Sequence, residues 1–252
     1  RFLKRYILRS DAHGFVGRVV DLSIVGMHFD TYEELCEYED AKYVWDVYNA
    51  LCSVRDRVES LNMVAAMLWP KNLPEDFKHF PVSRYEWLRI SVDVFLVRYI
   101  SVVDCLIILA SEVLDTGLPI KSCTLNNLKK TSAPASIISH LDLMIGDQGE
   151  LRSERNRRVH HGLERAFSSD DQILEMGALF EHRYSTARGE NGRPLPVNKL
   201  FREGLVELQR DFNAASKLLV RRIDVLYDML STAFEERFCE RLERRLSEQG
   251  GG

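Results

Sequence analysis

The chain has 252 residues, enough for one large domain or two small ones with a sizeable buried core. Hydrophobic residues make up 45% and charged residues 29%, which sets aside disordered and fibrous classes. A formal net charge of -4 excludes a uniformly basic surface, so any site for a polyanion has to be local.

Residues 1–30 read as an N-terminal arm. It contains Gly14, Gly17 and Gly26, and the alternation of Val20, Leu22 and Ile24 in RVVDLSIV predicts a short strand. From Thr31 the pattern becomes helical. Thr31 with Glu33 and Glu34 suits a helix N-terminus, where acids meet the positive end of the dipole. Tyr43, Val44, Val47, Leu51, Val54, Val58 and Leu61 continue the stripe at spacings of three and four, up to Trp69 before Pro70. A second long helix opens at Ser83, whose Glu86 three residues on has the form of a capping box, and runs to Asp115. Its most apolar run, Val92 to Leu109, is interrupted by Asp93, Arg98 and Asp104, so a place at the centre of a bundle is expected rather than a membrane span.

Ser122 to Lys130 reads as a connector or short helix, and Ser132 to Ile145 as a helix. Gly146 and Gly149 are expected to interrupt it before a further helix, Glu150 to His161, which Gly162 ends as a left-handed residue. A helix capped by Ser168 or Ser169 follows to Tyr184, then the loop STARGENGRPLPVN. The last helix opens at Asn198 with the stripe Leu205, Leu208, Phe212, Ala215, Leu219, Ile223, Leu226 and Leu230. The expected fold class is all-α, a bundle of long antiparallel helices over 31–248, with a flexible tail at 249–252. Five cysteines, an odd number without a CxxC pair, predict reduced thiols in a cytoplasmic protein.

The chemistry concentrates in ELRSERNRRVHHG, Glu150 to Gly162. On a helix Asn156 and His160 share a face, with Arg152 and Ser153 on the same side and Arg155 about 140° from His160. A histidine can move a proton at neutral pH, and an arginine fork can hold phosphate oxygens and stabilise added negative charge. An amide can orient either partner. That combination suits RNA, whose 2′-hydroxyl attacks the adjacent phosphate once a base takes its proton.

The run Arg155-Asn156-Arg157-Arg158-Val159-His160, followed by His161-Gly162, resembles the signature of the HEPN superfamily of defence and toxin ribonucleases. The likeness covers about eight residues in motif and the helical region in architecture. It implies a HEPN-like helical bundle with Arg155 and His160 as a catalytic pair and Asn156 as their catalytic polar partner; Arg152, Arg158 and His161, close to them in the helix, are expected to bind the substrate. It implies RNA cleavage leaving a 2′,3′-cyclic phosphate, with no metal and no cofactor. It also implies a homodimer with a composite active site, and an antitoxin or defence-system protein as a further partner; from the interrupted apolar run, no membrane partner is expected.

Blander readings compete. The same helix could be a solvated end using pairs such as Glu154 with Arg158. From Glu150 to Arg165 there are five arginines and three glutamates, a modest excess for phosphate binding. A catalytically inactive module binding RNA, a nucleotide or a partner protein would keep the fold, and a plain helical scaffold would bind no RNA. Joining His140 and His182 to His160 leaves a zinc ion without a fourth ligand, so no metal site is expected.

Overall fold

The computed structural model describes residues 3–71, 73–74, 77–162, 165–184 and 186–250, the last two by backbone alone. Three quarters of the chain is helical, and no strand occurs among the described residues, so the fold is all-α. An isolated bridge joins Arg188 and Pro194 within the glycine- and proline-rich loop. Ser185 at the start of that loop, and residues 251 and 252 of the tail, lie outside the described residues.

Helix α1 (Gly14–Ser23) replaces the predicted strand. The run RVVDLSIV carries both periods, and its packing decides between them. Phe15, Val16, Val19 and Ser23 are buried, whereas Val20 and Ile24 of the alternating set are exposed. Phe15 lies 5.5 Å from the ring of Tyr227 and 5.8 Å from that of Phe234. The imidazole Nδ1 of His13 caps α1 by accepting from the Phe15 N–H at 3.2 Å. A 3-10 turn, Ile24–His28, follows.

Thr31 caps α2 (Tyr32–Cys36), its hydroxyl accepting from the Glu34 N–H at 3.2 Å. The single helix expected from Thr31 to Trp69 is instead two. The N–H groups of Glu37 and Tyr38 bond back three residues, to Glu34 and Leu35, which tightens and ends α2. Helix α3 (Glu39–Leu68) then starts afresh. The predicted capping box opens α4 (Arg84–Val113): the Ser83 N–H donates to Glu86 Oε2 at 2.8 Å, and the Glu86 N–H to Ser83 Oγ at 3.2 Å. By length and mean hydropathy, 2.1 over its most apolar 18 residues, α4 meets the requirement for a membrane span, yet 61% of that window is buried within the chain. A core helix of a bundle passes the same test.

Helices α5 (Leu125–Leu128), α6 (Ala135–His161), α7 (Asp171–Tyr184) and α8 (Val197–Gly250) complete the order. The cap of α7 is Asp170, one residue beyond the serines expected, accepting from the Ile173 N–H at 3.2 Å. Gly146 stays helical inside α6, and the only break is at Gly149, with φ 32° and ψ -113°.

Two compact units arise from interleaved segments, and the chain passes between them after Ile7 and inside α3, α4, α6 and α8. The first unit comprises Arg1–Ile7, Ser60–Arg98 and Gly149–Lys217. Its core gathers Phe95 and Trp69 on Phe212, with ring centroids 5.5 and 5.6 Å away. Fully buried Gln209 donates to the Leu68 carbonyl at 2.6 Å and accepts from the Leu3 N–H at 3.1 Å, so both ends of its amide are satisfied. The second unit comprises Leu8–Glu59, Tyr99–Gln148 and Leu218–Gly252. There Tyr43 stacks on Phe234 at 5.6 Å and donates its hydroxyl to the Val113 carbonyl at 2.7 Å. All five cysteines are free.

Candidate functional site

The end of α6 lies in the first unit and is delimited by two glycines. Gly149 holds a backbone conformation that side chains rarely adopt, which breaks the helix one residue before Glu150. Gly162, at φ 63°, ends it, with its N–H donating to the Arg158 carbonyl at 3.3 Å. Arg158, His160 and His161 fall in the last turn, where the helix dipole favours positive charge.

One side of this segment is tied into the unit. The Arg158 side chain is 5% exposed, and its Nε donates to Asp93 Oδ1 on α4 at 2.6 Å. Its Nη1 lies 4.0 Å from Glu154 Oε1, too far for a hydrogen bond, and both atoms are buried without another partner. Glu154 Oε2 instead accepts from Arg165 Nη1 at 3.3 Å. Arg165 Nη2 donates onward to Asp211 at 2.8 Å and Glu207 at 3.2 Å, both on α8. Burial alone would lower the Arg165 pKa; the Asp211 hydrogen bond and the three carboxylates outweigh it and raise the guanidinium above its ordinary value. Arg158 and Arg165 are therefore occupied in holding α6 to α4 and α8.

The other side is unspent. Asn156, Arg157, Val159, His160 and His161 are exposed, and Arg155 is half-buried. The side chains of Arg155, Asn156 and His160 form no hydrogen bond or ion pair with another described residue. The rings of His160 and His161 are 6.5 Å apart and inclined at 65°, so the two imidazoles face differently. Arg152 is half-buried and interacts with its surroundings. Of the six residues picked from the sequence, Arg155, Asn156 and His160 thus share one open helix end, and Arg158 is directed inward. Three other histidines are engaged: His13 caps α1, the ring N–H of His140 donates to the Arg222 carbonyl, and that of His182 to the Phe80 carbonyl, the last two at 2.8 Å.

Sequence reasoning missed Asp93, Arg165, Glu207 and Asp211, which position the segment. No local spacing announces pairs 46 or 65 residues apart. It also passed over a row of cations, Lys199, Arg202 and Arg210, which lies on one face of α8 and was legible at helical spacing. The chain matches no family model, no curated protein and no solved structure.

Proposed function

We propose that the chain is a metal-independent RNA endonuclease of the HEPN type, a helical bundle working as a homodimer in the cytoplasm in antiphage defence or a toxin–antitoxin pair. The observation that carries this reading is the division of labour on α6. Arg158, Glu154 and Arg165 are consumed in ion pairs that fix the helix end, while the side chains of exposed Asn156 and His160 and half-buried Arg155 are left without a partner among the described residues.

His160 takes the proton of a ribose 2′-hydroxyl. The oxygen attacks the adjacent phosphorus, the bond to the 5′-oxygen breaks, and the products are a 2′,3′-cyclic phosphate and a 5′-hydroxyl. The leaving oxygen needs a proton, which His160 of the partner subunit supplies across a shared cleft. Arg155 neutralises the extra charge on the phosphate oxygens, and Asn156 orients the phosphate.

RNA incubated with the purified chain in excess EDTA tests this. Cyclic-phosphate ends are expected. His160→Ala and Arg155→Ala should each reduce cleavage by about 100-fold or more, the range for losing one proton-transfer or charge-stabilising group. Folded variants that cut like the parent would refute the catalytic roles. Binding without products would instead identify an inactive RNA-binding module.

A further inference from the structure

Beside the motif, a groove of about 840 Å³ is lined by Phe167 to Ser169 and by the N-terminal turns of α8. Lys199, Arg202, Val206 and Arg210 line it and fall within about 80° around the helix axis. Arg202 and Arg210 are exposed, form no ion pair with a described residue, and sit about 12 Å apart along the helix. The acids of the groove are already engaged. Glu207 accepts from Arg165 at 3.2 Å. Glu203 accepts from the Ser169 hydroxyl at 3.3 Å and faces Lys199 at 3.8 Å. On the opposite wall the Ser168 hydroxyl oxygen is buried with no partner of its own.

This groove adjoins the motif through a single side chain. Arg165 reaches Glu154, directly before Arg155, with one nitrogen, and Glu207 in the groove with the other. We infer that the groove carries the phosphodiester backbone of an RNA strand whose cleaved phosphate lies at Arg155 and His160. The inference rests on the nuclease reading and names the track the substrate takes. Cations spaced along a helix, rather than converging on one point, fit successive phosphates of a strand better than a single small anion. Each guanidinium offers a planar fork to phosphate oxygens, and Val206 between them offers an apolar surface to the sugar or base.

The test measures binding of a short single-stranded RNA to the His160→Ala protein between 50 and 200 mM salt, in EDTA. On a single strand each phosphate contact adds about 0.7 to the slope of log affinity against log salt. Adding Arg202→Gln with Arg210→Gln should reduce that slope by about 1.4. The parent's advantage should therefore shrink about sevenfold over this salt range. Arg202→Lys with Arg210→Lys should keep the slope. So should Lys121→Gln with Arg221→Gln, two exposed cations of the second unit. An unchanged slope in the folded double-Gln variant overturns the groove assignment alone, provided the otherwise unaltered chain still cuts RNA. Absence of any RNA binding overturns the groove and the nuclease together.

Discussion

Glu112 shows how a single carboxyl can be placed against its own preference. It is half-buried on α4, and burial, followed by the negative charge of Asp46, pushes its pKa above the ordinary 4.5, with Lys42 offsetting only part of the effect. Folding therefore binds the proton more tightly than unfolding. The contribution of this group to stability is full below about pH 4.5 and is lost as pH rises through the raised folded value. Glu112→Gln should accordingly raise the thermal midpoint at pH 7, and the gain should vanish near pH 4. A midpoint difference that did not depend on pH would place the effect elsewhere. Arg155 and Arg158 make the complementary point. They are three residues apart with the same chemistry and both half-buried as residues, yet only Arg158 is held in an ion pair, and the difference is set by Asp93 on another helix.

Among the elements, α6 depends most on one backbone position. Gly149 has open space where a Cβ would stand, so the obstacle to a larger residue is conformational rather than steric. Gly149→Ala must either hold a strained backbone, at a cost of about 1–3 kcal/mol, or straighten α6 and move Arg155 and His160. A lower denaturation midpoint together with loss of RNA cleavage is expected; full stability and activity would show that the break is incidental. The helices themselves were largely legible. The stripe predicted for α8 is buried from Leu205 to Leu230, and Ser83 with Glu86 marks the start of α4. The failures came where two periodicities coincide, as in α1, and where a helix ends by tightening its own last turn, as at Glu37 and Tyr38. The motif was legible because three of its residues lie within six positions of one helix. The ion pairs that orient it were not, because each partner is brought in by tertiary packing.

For the whole molecule, the net charge of -4 forecasts weak attraction for nucleic acid, so binding has to come from one place. The nuclease reading needs a second copy, because the attacking and leaving oxygens lie on opposite sides of the phosphorus in an in-line displacement and one imidazole does not reach both. Sedimentation should find twice the monomer mass at working concentration, and specific activity should fall on dilution; a monomer of full activity would contradict the shared cleft. The interleaving of the two units was not legible, since composition does not shift at the positions where the chain passes between them. In the first unit Arg84 is 3% exposed, stacked 4.2 Å over Phe77, with its Nε donating to Glu181 at 2.8 Å. A guanidinium sealed in this way is a built-in reporter. Its Nε proton is shielded from water and should trade slowly with deuterium, giving a resolved side-chain resonance that fades only when the surrounding helices part.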